Sequence, residues 1–427
     1  MKFFTRAASL LIPMSIFAIS NAQETDKETQ NDSIVLQSGK TAIQKNQLQV
    51  IPFRTAGSAV LIAPNTYHLK GEDYYFDGLQ AGNDYMFIDG MQVKDGKDFL
   101  YRGIENYTFY RFNQPISLGN TAGGMVEIQT SSYRDSLHVE GEVFFAPEKE
   151  YKNLFYEILL GGPISFKKKK DRVWKYRPSF LISASFNSTN DPNPSSEEKY
   201  RINPETQTSL NNHPLRRTEL ASGGTFLNSG FTNANDFYKV NTHQNTERNT
   251  QNIYGKLQIP INRNMELTLG SYFRNDAGKE FVFDNALFNL ANNPHTISRN
   301  IDNYLNWKHT FIDTKNLKAD YNINFQYSNY YFQRQNESFK DDWFKYGYLG
   351  KYTTHKVATY ELGDEVIDGI EYQNVWKLNS WDFDTAYTFQ NMGFNPEAAR
   401  FTEMVYELYP DKFGDFLSGG SGNWMNS

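Results

Sequence analysis

The residues that could do chemistry are few, and they are scattered. The seven histidines (His68, His138, His213, His243, His295, His309 and His355) never fall at the short spacing that lets two imidazoles share one metal ion. A zinc site is therefore not expected. The absence of cysteine removes thiol nucleophiles, thiolate metal sites and a disulfide framework together. No G-x-S-x-G elbow is present to activate a serine. Asp341-Asp342 and the pair Asp382/Asp384 offer oxygen ligands, but without the glycine and terminal glutamate of a calcium loop. No catalytic residue, metal or cofactor is assigned, and the chain does not read as an enzyme. Two segments offer binding instead. Lys167 to Lys170 is the strongest charge run and would meet either anionic headgroups or only water. Segment 190–249 sets Tyr200, Phe226, Phe231, Phe237 and Tyr238 among Asn, Thr and Ser, which suits either stacking on a ligand or packing of loop on loop.

The elements that would carry such groups follow from composition. A chain of 427 residues ordinarily suggests two or three domains, a rule that large β-barrels break. Its 43 Lys+Arg against 49 Asp+Glu give a net charge of -6, which argues against a nucleic-acid partner. Only 39% of residues are hydrophobic, yet 16% are aromatic. That combination suits a polar-lined barrel with aromatic girdles. Beyond the first twenty or so residues no apolar run reaches the length of about 18 needed for a membrane helix.

The N-terminus reads as an address. Lys2 and Arg6 precede the apolar run from Ala7 to Ile19, and Ser20-Asn21-Ala22 supplies small residues for cleavage. Residues 1–22 are thus expected to be a secretory signal peptide. Residues 23–45 form a polar leader, expected to be flexible, with one aliphatic island at Asp32-Ser33-Ile34-Val35-Leu36. On the residues alone the island reads as a chance trio of aliphatics before it reads as a strand that could add to another sheet. Residues 46–133 are expected to form a small mixed α/β domain. Short β-type runs at Ser58 to Ile62, Tyr85 to Ile88 and Met125 to Ile128 are separated by turn dipeptides at Asp77-Gly78, Asp89-Gly90 and Asp95-Gly96. Its glycines form no nucleotide fingerprint.

From Ser136 onward the period is two. Leu317, Ala319, Tyr321, Ile323, Phe325 and Tyr327 share one face, and Lys318, Asp320, Asn322, Asn324, Gln326 and Ser328 share the other. An apolar face toward lipid and a polar face toward a lumen is the pattern of a transmembrane β-strand. Leu257 and Ile259 alternate with Lys256 and Gln258, and Met265, Leu267 and Leu269 continue the theme. Seven such strands are read between Ser136 and about Phe332, with a further one near Trp381 to Phe389. Tight turns at 260–264 and 313–316 alternate with long polar segments at 190–249 and 275–300, the topology of an outer-membrane barrel. Residues 134–427 are accordingly expected to be antiparallel transmembrane strands of an incomplete barrel. A barrel wide enough to hold a domain takes about 22 strands, more than this chain provides. The glycine-rich end from Gly419 to Ser427 resembles a loop, and the expectation is an N-terminal part of a longer protein.

The order of these parts resembles the TonB-dependent outer-membrane receptors, in particular those common in Bacteroidetes. The motif Phe87-Ile88-Asp89-Gly90-Met91-Gln92-Val93 looks like the plug signature of that family, and Leu118-Gly119-Asn120-Thr121-Ala122-Gly123-Gly124-Met125 resembles the end of the plug. Leu118 and Asn120 depart from the usual corner, but the glycine positions remain. The resemblance marks Ile88, Asp89, Gly90, Gly119, Asn120, Gly123 and Gly124 as plug-motif residues. It also reverses the reading of the island, making Asp32, Ser33, Ile34, Val35 and Leu36 a TonB box. An extra domain before the plug and a terminal aromatic strand are not seen.

The resemblance implies energised uptake across the outer membrane of a Gram-negative bacterium. TonB and its inner-membrane complex, outer-membrane lipid, an imported ligand and a surface lipoprotein are the implied partners. The ligand class (siderophore, vitamin, glycan or peptide) stays open. The plug apex is expected to include Asp73 to Phe76 and Gly82 to Asp84. Two other readings stand beside this one: a truncated, non-transporting fragment or interaction protein, and a passive porin-like channel.

Overall fold

The computed structural model describes residues 35–408 except 38–39, 50–54, 69–73, 78, 81–84, 95, 112–114, 116–117, 119–123, 147–151, 165–176, 195–196, 218–224, 315–316 and 344–349. Two compact units divide the chain. The first comprises Met1–Pro194, Gln244–Glu280 and His295–Arg334; the second comprises Ser195–His243, Phe281–Pro294 and Gln335–Ser427.

The first unit begins with a small mixed domain. Its strands are β1 (Val35–Gln37), β2 (Lys40–Gln44), β3 (Thr66–His68), β4 (Tyr74–Phe76), β5 (Leu79–Gln80), β6 (Met86–Ile88), β7 (Met91–Val93), β8 (Ile104–Tyr110) and β9 (Met125–Thr130). Six of them form one sheet in the order β1-β2-β8-β9-β6-β7, and β3-β4-β5 form a second. β6 and β9 run parallel, and the other neighbouring pairs are antiparallel. Helices α1 (Lys45–Gln49) and α2 (Ala56–Ala59) belong to the same domain. Ile43, Met86, Ile88, Met91, Val93, Tyr107, Phe109, Val126 and Ile128 are almost completely buried and make its core. Strand β2 was expected within the leader, but Thr41 and Ile43 are buried, so the ordered domain starts earlier in the chain than residue 46. Ser58 to Ile62 also departs from expectation. It forms the end of α2 and one 3-10 turn, Val60–Ile62, instead of a strand.

The Asp89-Gly90 turn holds. Met86 faces Val93 and Ile88 faces Met91, leaving a two-residue hairpin loop. Both loop residues have positive φ, 49° and 84°, the backbone that a right-twisted hairpin favours and that Asp and Gly tolerate.

Seven longer strands follow in one antiparallel sheet, here called the wall. They are β10 (His138–Phe145), β11 (Leu154–Pro163), β12 (Ser179–Thr189), β17 (Arg248–Pro260), β18 (Met265–Lys279), β19 (His295–Asp313) and β20 (Lys318–Gln335), numbered in chain order and paired in that order. The register aligns inward residues in cross-strand rows. Glu140, Leu159, Ser183, Tyr254, Tyr272 and Asp302 make one such row. The opposite face is apolar and open: Val139, Val143, Phe145, Ile158, Ile182, Ile253, Phe311, Ile323 and Phe325 are all exposed. The strands run further than the alternation indicated. β18 reaches Lys279 and β19 starts at His295, so the segment expected as a loop over 275–300 shrinks to 280–294.

In the second unit, β13 (Lys199–Ile202) pairs with β16 (Phe237–Val240) and β14 (Leu215–Arg217) with β15 (Thr225–Leu227). Helix α3 (Pro204–Asn212) lies among them in sequence. Helix α4 (Pro396–Leu408) supplies Val405, which is buried with Leu215 in a small separate core. β21 (Gly350–Ile367) and β22 (Ile370–Asn391) form a long hairpin closed by Asp368-Gly369. Among the described residues no helix is long and apolar enough to cross a membrane.

Candidate functional site

The most concentrated polar chemistry in the first unit lies where the small domain meets the inward face of the wall. It is built on Asp89. The left-handed turn aims its carboxylate away from the domain's own core, while its backbone N–H donates to Ile128 O at 2.8 Å. Thr130 supplies two donors, its N–H to Oδ1 at 2.9 Å and its hydroxyl to Oδ2 at 2.5 Å. The wall supplies three more. The Tyr254 hydroxyl donates to Oδ2 at 2.6 Å, the Tyr304 hydroxyl at 3.1 Å, and Lys256 Nζ lies 3.3 Å away. Lys256 also donates to Thr130 O at 2.9 Å, and its side chain is only 4% exposed. Burying one charge is costly, and burying a hydrogen-bonded opposite pair offsets much of that cost.

Position in the strands explains the constellation. Tyr254 and Lys256 are two apart in β17 and so share the inward face. Gly270 pairs with Lys256 on one side and Tyr304 on the other, which brings Tyr304 to the same place. Phe99 packs edge-on against Tyr254 and Tyr272, at centroid distances of 5.3 and 5.4 Å, and seals one side.

Leu159 and Leu181 of the wall join the domain's buried core, and further polar contacts surround it. Arg274 reaches Asp98 at 2.6 Å and Asp276 at 3.1 Å. Gln326 holds the backbone of Gln92 at both its N–H and its carbonyl, and Asn300 donates to Lys94 O. The Arg102 guanidinium pairs with Glu142 and Glu140, while its backbone N–H donates to Glu157 at 3.0 Å. Lys45 donates to Tyr133 and Glu140, both at 2.9 Å. Burial pulls the Lys45 pKa down, but these hydrogen bonds outweigh it and the net shift is upward. Within the domain, burial and the neighbouring Glu127 push the Tyr110 hydroxyl up to about 12.

Two cavities flank this contact. One, of about 760 Å³, lies toward the long connections and is lined in part by Asp98, Glu157, Asp191, Arg248, Arg274 and Asp276. The other, of about 430 Å³, lies toward the tight turns and is lined in part by Asp89, Glu127, Lys256, Gln258, Glu266 and Lys308. By strand register, the row of Tyr254 and Tyr272 falls between them.

The structure thus brings together Ile88, Asp89 and Gly90 from the plug motif. Ile88 is fully buried in the core. Gly124 packs on the Phe76 ring, where an added Cβ would fall 2.6 Å from a ring carbon. Gly119, Asn120 and Gly123 lie outside the described residues, as do the signal peptide, Asp32, Ser33, Ile34, the lysine run and Gly82 to Asp84. Val35 and Leu36 fall in β1. Asp73 is outside the described residues, and Tyr74 to Phe76, expected at an open apex, form β4 with Tyr74 and Phe76 buried. Two of the scattered histidines have structural partners: His309 meets Tyr321, and His138 meets Glu140 and Tyr133. No group of His, Asp and Glu among the described residues could hold a metal ion. The sequence reading missed Tyr254, Tyr304 and Arg274 as partners of the motif. Their only signal was a phenol or guanidinium at an inward position of an alternating strand.

No family model matches the chain, and no curated protein matches it. Similar solved structures include the siderophore receptor PirA from Pseudomonas aeruginosa, at 13% identity over 70% of this chain and 42% of that one, with a TM-score of 0.45. The ferric-catecholate import receptor Fiu from E. coli K12 is similar at 13% identity over 69% and 49%, with a TM-score of 0.41. A mutant of the ferric enterobactin receptor of Pseudomonas aeruginosa is similar at 13% identity over 68% and 46%, with a TM-score of 0.39. The chain spans less than half the length of each of these structures.

Proposed function

We propose that this chain carries the plug and the first wall strands of a TonB-dependent receptor that imports a ligand across the outer membrane. The observation that carries this reading is the two-faced wall. Its outer face exposes aliphatic and aromatic side chains, and its inner face grips a small N-terminal domain through the Asp89 cluster. An apolar outer face of this extent suits contact with lipid, and a wide polar lumen leaks unless something fills it. The small domain is the filling. Its contacts with the wall include many hydrogen bonds and ion pairs, which water can replace when the domain is displaced. Asp32 to Leu36 are the proposed point of attachment for TonB, and a surface lipoprotein is a proposed partner on the outer side.

The test is made on the full protein in its native outer membrane. A folded band that shifts on boiling is expected, together with entry of a large antibiotic such as vancomycin once the small domain, residues 40–133, is deleted. Recovery of the protein in the soluble fraction, or a deletion that inserts into the membrane yet leaves permeability unchanged, would overturn the reading.

A further inference from the structure

Strand register places six inward residues in a single row across the wall: His138, Gly161, Leu181, Lys256, Gly270 and Tyr304. A glycine inside a strand weakens it, because it packs nothing and loses more freedom on ordering than other residues do. Two glycines in one row therefore call for a local cause. Both are filled by a ring from elsewhere in the chain. The Tyr304 ring occupies the space beside Gly270, where an added Cβ would overlap Cε1 and Cζ. The Tyr133 ring fills the space beside Gly161 in the same way. Gly255 and Gly141, which face outward, are not filled. A Cβ at Gly255 would meet nothing within 4 Å, and one at Gly141 would meet only the Glu157 carbonyl, at 3.6 Å.

Each seated phenol holds one charged residue of the small domain. The Tyr304 hydroxyl donates to Asp89 at 3.1 Å. The Tyr133 hydroxyl accepts from Lys45 Nζ at 2.9 Å, and the same ammonium lies 5.5 Å from the Tyr133 ring centroid. Tyr133 belongs to the connection between β9 and β10, and its ring stacks on His138 of the same row at a centroid distance of 4.5 Å. The two anchors fall toward opposite edges of the six-stranded sheet. Lys45 opens α1 directly after β2, and Asp89 lies in the turn between β6 and β7.

We propose, resting on the uptake reading above, that Gly161 and Gly270 are positioning residues: two notches in one row of the wall that seat Tyr133 and Tyr304, and through them set where and how firmly the small domain is held. A methyl group at either notch lifts the ring, and carries the hydroxyl away from its charged partner. One methyl suffices because close-packed surroundings accept little added volume.

The test measures amide hydrogen exchange on the full protein, purified from the outer membrane in detergent, for Gly270→Ala, Gly161→Ala and the outward control Gly255→Ala. Gly270→Ala should accelerate exchange about tenfold or more over β6, β7 and β9, the size expected of overpacking strain. Gly161→Ala should do the same over β2 and α1. In both, the wall strands should keep their protection and the band its heat shift, and Gly255→Ala should match the parent. In a Tyr304→Leu background, where the ring is gone, Gly270→Ala should add nothing, since the two positions act as one unit. If Gly270→Ala alone fails to assemble, the double variant should recover assembly. Additive effects of that pair, failure of the double variant to recover, unchanged exchange in both notch variants, or equal loosening by Gly255→Ala would overturn the inference. These outcomes in a protein that shows the heat shift defeat this inference alone. A parent protein absent from the outer membrane defeats the uptake reading beneath it.

Discussion

The Tyr254 hydroxyl donates to the Asp89 carboxylate at 2.6 Å across 165 residues of chain, and Lys256, two positions along the same strand, lies 3.3 Å from the same oxygen. One strand of the wall thus presents a phenol and an ammonium to a single turn of the small domain.

Removing the negative charge tests that junction. Asp89→Asn leaves the Lys256 ammonium buried without its counter-ion, a change that typically costs about 3–5 kcal/mol. Amide hydrogen exchange over residues 85–130 should accelerate while the wall strands keep their protection. Unchanged protection would mean that the pair does not hold the domain.

The turn itself sets a second expectation. Gly90 sits at φ 84°, so Gly90→Val should destabilise the small domain by about 1–2 kcal/mol or more through left-handed backbone strain. Gly90→Asn should cost clearly less, because Asn tolerates that region. Thermal unfolding of the two variants side by side decides it.

The two faces of β20 should respond oppositely to charge. Ile323→Arg or Phe325→Arg places a guanidinium on the exposed apolar face, at a cost of about 2–4 kcal/mol if that position lies at the bilayer midplane. Assembly into the outer membrane should fall. Asn324→Lys, on the inward face beside Asn306, should assemble normally. Equal assembly of all three variants would contradict the assignment of the faces.

Alkali gives a fourth expectation. Tyr110 titrates near 10.0 when solvated and about 12 when folded. Since the folded value is the higher, its contribution to stability is complete below pH 10 and is lost as pH rises through about 12. Tyr110→Phe should flatten that part of the stability profile, measured by chemical unfolding across the alkaline range.

Much of the fold was legible because alternation is a direct image of two unlike environments. Leu317 to Tyr327 read as one strand since the apolar residues share one face of the sheet and the polar ones share the face that meets the small domain. The seven strands of the wall were counted on that basis. Leu154 to Leu160 alternated less cleanly because Leu159 faces inward into the core that the domain shares with the wall. Ser58 to Ile62 was misread because a single buried helical turn and a short buried strand have the same apolar composition. β21 was obscured by irregularities at Thr354/Lys356, Thr359/Tyr360 and Gly363/Glu365, each of which breaks the pairing with β22. Polar residues near Asn275 and Asn300 looked like loop because a polar sheet face and a loop favour the same side chains. The Asp89 motif could be found in the sequence, whereas Tyr304, 215 residues away, could not be named as its partner. Such pairings depend on strand register, which no local pattern specifies.

The order of strands in the small domain also fixes how it would yield to a mechanical load. Val35 pairs with Ala42 at the open end of the β1–β2 hairpin, and Lys40 pairs with Tyr110 at the end of β2 that the load reaches next. Tension applied to the backbone at Val35 therefore breaks these ladders one rung after another, as a zipper opens, rather than shearing all rungs at once. Two strands peel away at low force before the pull arrives at β8, β9 and β6, where the anchorage of Asp89 lies.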